Sequence, residues 1–140
     1  LALYVVIYAP VQMAADLPEN YEGHPAFQFI KDVPTDWETS ICVNGEIGQY
    51  ITMARKDVGS NDWYLGAITN EDSRELNVSL SFLDPDKRYT ATIYKDPEAG
   101  GWKKKPEEVV IEDQSVNNGS TLNIVLPPGG GQAIKFSSIN

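Results

Sequence analysis

Over most of its length the chain repeats one rhythm. Short runs of alternating apolar and polar residues are each stopped by a turn signal. Successive side chains of a strand point to opposite faces, so a period of two predicts half-buried strands. The clearest run is Glu75–Leu83, where Leu76, Val78, Leu80 and Phe82 alternate with Asn77, Ser79 and Ser81. Asp62–Thr69 sets Trp63, Leu65 and Ala67 against Tyr64, Gly66 and Ile68. Arg88–Lys95 sets Tyr89, Ala91 and Ile93 against Thr90, Thr92 and Tyr94. Thr39–Val43 and Ile47–Lys56 read as a hairpin across Asn44-Gly45, a dipeptide that tolerates the positive φ angles of a tight turn. Its return strand puts Ile51 and Met53 on one face and Tyr50, Thr52 and Ala54 on the other. Glu108–Asp113, Leu122–Leu126 and Gln132–Ser137 complete the set, separated by Asn118-Gly119 and by the break at Pro127–Gly131. About eight short strands in this pattern predict a mainly β fold, an antiparallel two-sheet β-sandwich. The expected core is Ile51, Met53, Leu76, Val78, Leu80, Ile93, Leu122, Ile124 and Phe136, with Trp63 also inside.

The chain before this region has a different pattern. Leu1–Leu17 is apolar nearly all round, and its length favours a helix, kinked where Pro10 removes a hydrogen bond. An all-round apolar helix belongs between two packed bodies. Pro10 and Gln12 break its opening apolar run, Leu1–Ala9, well short of the ~20 residues of a membrane span, and no charged segment precedes it as in a signal peptide. The expectation is a cut edge at Leu1, with a larger protein upstream. Pro18–Gly23 reads as loop. Pro25 suits the first turn of a short helix that carries Phe27, Phe29 and Ile30. Pro34 closes that helix, and Trp37 is the expected pin between this linker and the strands.

Length and charge narrow the partners. A chain of 140 residues is about one domain. It can bury roughly 68–70% of its unfolded surface without staples. A net charge of −9 argues against nucleic acid and anionic lipid, which need a Lys/Arg surplus. Cys42 is the only cysteine, so no internal disulfide forms, and a small buried hydrophobe is its expected role. His24 is the only histidine, expected as an exposed or capping residue rather than a metal ligand.

Few motifs carry chemistry. Gly129-Gly130-Gly131 lacks the Lys-Ser/Thr of a phosphate loop and reads as a turn. Asp84…Asp86 and Asp57…Asp62 lack the ligand spacing of a calcium loop. Glu19, Glu22, Glu38 and Glu46 fall in loops and turns, which are poor places for a catalytic carboxylate pair. Among the aromatic residues, Trp102 in a Gly- and Lys-rich loop is the one candidate platform for a sugar ring.

Four stretches together carry a resemblance: YVVIYAPVQMAADLPENYEGHPAFQFIKDVPTDWE, GEIGQYITMARK, DWYLGAIT and PGGGQAIKF. In order and spacing they resemble the C-terminal part of glycoside hydrolase family 97, a family of retaining and inverting α-glycosidases with α-glucosidase and α-galactosidase activities. The resemblance implies a parent with an N-terminal β-sandwich, a (β/α)₈ barrel and a C-terminal β-sandwich. Residues 1–37 would then be the last barrel helix and connector, and residues 38–140 the terminal sandwich. It places the catalytic carboxylates and calcium ligands upstream, so no catalytic or metal residue is carried onto this chain. Calcium is expected in the parent enzyme, and export of that parent to the periplasm or medium. The implied function is a non-catalytic structural or interaction domain that packs on the upstream barrel and stabilises it. The alternative is a carbohydrate-binding module, with Trp102 as its first candidate residue. Self-association through Leu1–Leu17 is a further expectation.

Overall fold

A computed structural model describes residues 1–97 and 108–139. Eight strands follow three short helices: α1 (Leu3–Val6), α2 (Pro18–Tyr21), α3 (Phe27–Asp32), β1 (Trp37–Glu46), β2 (Tyr50–Asp57), β3 (Trp63–Thr69), β4 (Arg74–Ser79), β5 (Arg88–Lys95), β6 (Val110–Val116), β7 (Thr121–Leu126) and β8 (Gly131–Ile139). They form a six-stranded sheet in the order β1-β2-β3-β8-β5-β6 and a two-stranded sheet, β4-β7. Every strand pair is antiparallel. This is the two-sheet β-sandwich that the alternation predicts.

The main core lies between the sheets. Trp63, Leu65 and Ala67 of β3, Tyr89, Ala91 and Ile93 of β5, and Ile134 and Phe136 of β8 line the large sheet's inner face. Val78 of β4 and Leu122, Ile124 and Leu126 of β7 oppose them. Leu80 and Leu83 follow β4 and remain in the core although the strand ends at Ser79, short of the expected Leu83. A tight turn takes over there, with the Leu83 amide donating to the Leu80 carbonyl at 3.0 Å.

β2 is read correctly in period but not in phase. Thr52 and Ala54 face the core, whereas Ile51 and Met53 face the other side and are half-buried. Register decides this: Ala54 lies opposite Leu65 and Met53 opposite Gly66. The hairpin turn is also displaced. Asn44 and Gly45 sit within the ladder, opposite Thr52 and Ile51. The chain reverses instead at Ile47-Gly48, where Gly48 has φ +78° and the Gln49 amide donates to the Glu46 carbonyl at 2.9 Å. Cys42 is exposed, not buried, because Ile41 and Val43 on either side take the inward positions of β1.

The apolar N-terminal run is not one helix. Only Leu3–Val6 is α-helical, and Ile7 is already extended, with φ −93° and ψ 117°. Val5, Val6 and Ile7 are a β-branched run, and Pro10 disfavours helix at the residue before it. Within the stretch read as loop, Pro18 opens the single helical turn α2.

Candidate functional site

The outer face of the large sheet is not solvated. It carries a second cluster of Val5, Phe29, Tyr64, Tyr94 and Ala133, flanked by Leu1, Tyr4, Val33, Trp37 and Val109. The N-terminal segment packs here because β3 presents no side chain at Gly66. A Cβ there would lie 2.6 Å from the Ala2 carbonyl oxygen and 2.9 Å from the Val5 Cβ. The missing methyl lets α1 lie directly on the sheet, with Val5 fully buried.

Three residues fasten this segment. Arg55 of β2 is buried and projects from the outer face. Its Nε donates to the Val5 carbonyl, its Nη2 to the Val6 carbonyl at 3.3 Å, and its Nη1 to Ser40 Oγ at 2.7 Å. It therefore satisfies carbonyls that a longer helix would have used itself. Its guanidinium lies 5.8 Å from the ring centroids of both Trp37 and Tyr8. Tyr64 donates its hydroxyl to the Asp32 carbonyl at 2.9 Å, and Lys135 pairs with the Asp32 carboxylate at 2.8 Å, so both hold the end of α3. Burial, with Asp62 and Asp32 adding to it, pushes the Tyr64 phenol well above its ordinary value. Phe29 packs edge-on against Tyr64 and Tyr94, at 6.0 and 5.2 Å.

The other side of this segment is bare. Leu3, Ile7, Tyr8, Val11, Met13 and Leu17 are all exposed. One face grips the sandwich and the other offers an apolar surface larger than a scatter of single residues. Arg55 escaped the sequence reading. Its signal was a lone cation continuing the Ile51, Met53 alternation on an otherwise apolar face.

The candidates for chemistry do not converge. Trp102 lies outside the described residues. Trp63 packs in the main core against Phe82, at 5.2 Å, while Tyr64 and Tyr94 belong to the second cluster. Glu19, Glu22, Glu38 and Glu46 are exposed and lie on α2, the segment after it and β1. Asp57 accepts from the Gly59 amide and from Ser60 Oγ, and Asp62 accepts from the Ser138 amide. The first two are turn contacts, and the third ties the β2–β3 connection to β8. Among the described residues no group of three or more His, Cys, Asp or Glu could hold a metal ion. His24 Nδ1 accepts from the Ala26 amide at 3.2 Å at the entry to α3. Gly129–Gly131 is a turn, in which the Gly130 amide bonds the Pro127 carbonyl. A cleft of about 540 Å³ opens between β5–β6 and β7, with the Lys95–Glu112 ion pair, Gln114 and Asn123 on its walls. Its described lining contains no aromatic ring.

The class is thus an antiparallel two-sheet β-sandwich domain whose outer face is strapped by an N-terminal segment with an exposed apolar side. The chain belongs to the glycosyl-hydrolase 97 C-terminal family, whose description adds oligomerisation and whose model matches residues 36–137. It is 38% identical over 137 residues to a retaining alpha-galactosidase of Bacteroides thetaiotaomicron, covering 97% of this chain and 20% of that protein. A glycoside hydrolase family 97 enzyme from Pseudoalteromonas sp. strain K8, solved in complex with acarbose, superposes with a TM-score of 0.95 at 48% identity. That match covers 99% of this chain and 22% of the enzyme. A beta-arabinopyranosidase matches at TM-score 0.75 and 27% identity, over 96% of this chain and 20% of its own. The chain thus spans about a fifth of the length of these relatives. Among the described residues no helix is long and apolar enough to cross a membrane.

Proposed function

We propose that this chain is the non-catalytic C-terminal domain of an α-glycosidase and that it braces the catalytic domain preceding it. The observation that carries the reading is the two-sided N-terminal segment. Val5 and Arg55 fix it to the sandwich, while Leu3, Ile7, Val11 and Leu17 are turned outward. In the relatives about four-fifths of the polypeptide lies outside the matched part, and a catalytic domain there is the natural cover for this surface. A glycosidase needs two carboxyl groups ~5–5.5 Å apart for retention or ~6.5–9.5 Å for inversion across one sugar. Among the described residues Glu19, Glu22, Glu38 and Glu46 are exposed and spread over α2, the segment after it and β1, which are poor places to hold such a pair. Calcium and the catalytic acids are accordingly assigned to the upstream part, and export to the whole protein.

The test has two arms. Incubated with aryl α-galactosides and α-glucosides, the chain should release no phenol. Mixed with a separately produced catalytic part of the parent, it should co-purify, and the double variant Ile7→Asp, Val11→Asp should not. Hydrolysis by the chain alone, or co-purification untouched by the double variant, would overturn the reading. Saturable quenching of tryptophan fluorescence by a sugar would favour a carbohydrate-binding module instead.

A further inference from the structure

We infer that the tip of the β1–β2 hairpin, together with the apolar depression beside it, is the contact between two copies of this chain. The inference rests on the family reading, because oligomerisation is attached to a match that covers residues 36–137. That range excludes Leu1–Leu17, so the self-association surface belongs on the sandwich itself. Among the described residues of that range, the exposed large apolar ones are Ile47, Val58, Ile111 and Val125.

Ile47 stands apart from the other three. It is 103% exposed, so it contributes nothing to the packing of its own molecule. It occupies a tight turn, where Gly, Asn, Asp or Pro would serve the backbone and a β-branched residue does not. Gly48 beside it supplies the positive φ, so the turn needs no help from position 47. Ile47 stands on the rim of a shallow depression of about 530 Å³, where Cys42, Tyr50, Ile51 and Ile68 form the lining together with Glu46, Gln49 and Asn70. The same register that turned Ile51 and Met53 outward leaves this part of the sheet's outer face apolar. A projecting Ile and an apolar recess on one surface form a self-complementary pair. A two-fold contact requires this, since each copy then supplies both the knob and the hole.

The other three sites are more polar. Val125 lines the cleft of about 540 Å³, whose walls carry the Lys95–Glu112 ion pair, Gln114 and Asn123, and Asn123 bonds Glu75. Val58 lies in the polar turn of Asp57, Gly59 and Ser60. Ile111 lies on the edge strand β6 between Val110 and Glu112, both of which face the other side of the sheet. The occupant is therefore a second copy, with Ile47 of each molecule seated over Ile51 and Ile68 of the other.

Sedimentation of the 140-residue chain over a range of concentrations tests this. The wild type should dimerise, and Ile47→Asp should raise the dissociation constant at least about tenfold, as loss of a central apolar contact does. Its thermal unfolding as a monomer should match that of the wild type. Ile7→Asp and Val125→Asp should leave the dimer intact. Cys42, exposed in the monomer, gives a second readout. Its alkylation should slow as wild-type concentration rises, and should not do so in Ile47→Asp. Dimerisation unaffected by Ile47→Asp, or abolished by Ile7→Asp or Val125→Asp, would overturn the hairpin contact alone. A wild type that stays monomeric throughout would overturn self-association as well, while co-purification with the catalytic part judges the bracing role separately.

Discussion

At the scale of single residues, two side chains on β2 have opposite effects on stability. Arg55 is buried on the outer face and donates to two carbonyls of α1 and to Ser40. Burial lowers its affinity for a proton, yet its hydrogen bonds and the flanking rings of Trp37 and Tyr8 hold it in place. Hydrogen bonds to a charged group contribute about 1.5–3 kcal/mol. Arg55→Leu should lower the unfolding free energy in urea by about that much and expose residues 7–17 to limited proteolysis. Arg55→Lys should restore only part of it, because an ammonium cannot reach three acceptors with the geometry of a planar fork. Thr52 lies in the main core, and its hydroxyl has no hydrogen-bond partner among the described residues. Desolvating such a group costs about 1–3 kcal/mol. Thr52→Val keeps the shape and removes the hydroxyl, so it should raise the urea midpoint. A fall instead would show that the hydroxyl is satisfied.

At the scale of elements, the large sheet is the scaffold because both of its faces are covered. β3 shows this best. Trp63, Leu65 and Ala67 enter the main core, Tyr64 enters the second cluster, and Gly66 makes room for α1. A Cβ added at Gly66 would press on main-chain atoms of Ala2 rather than on a movable side chain. Overpacking of this kind costs typically about 1–3 kcal/mol. Gly66→Ala should therefore lower the melting temperature and speed amide exchange at Val6 and Ile7, whose N–H groups bond Ala2 and Leu3. Exchange within β5 should change little. Equal acceleration in both places would mean that α1 and the sandwich unfold as one unit.

At the scale of the whole molecule, the two cores share a tyrosine chemistry that makes the fold sensitive to alkali. Burial raises the phenol pKa of Tyr64, of Tyr94, and of Tyr89, which is pushed up to about 12 with Asp84 adding to the shift. Tyr89 donates its hydroxyl to the Asp84 carboxylate at 3.1 Å. In the unfolded chain these phenols ionise near 10. A folded pKa above the unfolded one means that the stabilisation is complete below pH ~10 and is lost as pH rises through the folded value. Each tyrosine kept neutral costs up to about 1.4 kcal/mol per pH unit above 10. Urea midpoints should be flat from pH 8 to about 9.5 on account of these groups and fall steeply beyond 10, with Tyr89→Phe flattening the fall. A Tyr89→Phe chain whose urea midpoint falls as steeply as that of the wild type would contradict this.

What the sequence determined by itself was local. Alternation of period two, bounded by Asp84-Pro85, Asn118-Gly119 and Pro127–Gly131, determined that there are strands and where most of them break, because side-chain direction in a strand depends only on its own backbone. It also assigned the faces of β3, β5 and β7, where one alternate set is plainly more apolar. Tertiary structure decided whatever depends on which surface lies opposite. On β2 both alternate sets have apolar members, so period could not choose between Ile51 with Met53 and Thr52 with Ala54; pairing of Ala54 with Leu65 chose. Asn44-Gly45 has good turn chemistry, yet ladder partners across the sheet hold it extended and move the reversal to Gly48. Leu1–Leu17 has the length of a helix, and its β-branched run and Pro10 oppose one locally; a guanidinium 50 residues away takes the Val5 carbonyl, and only one short turn forms. The phase of β2 and the place of its turn rest on contacts between residues far apart in the chain, and neither local propensity nor hydrophobic period contains that information.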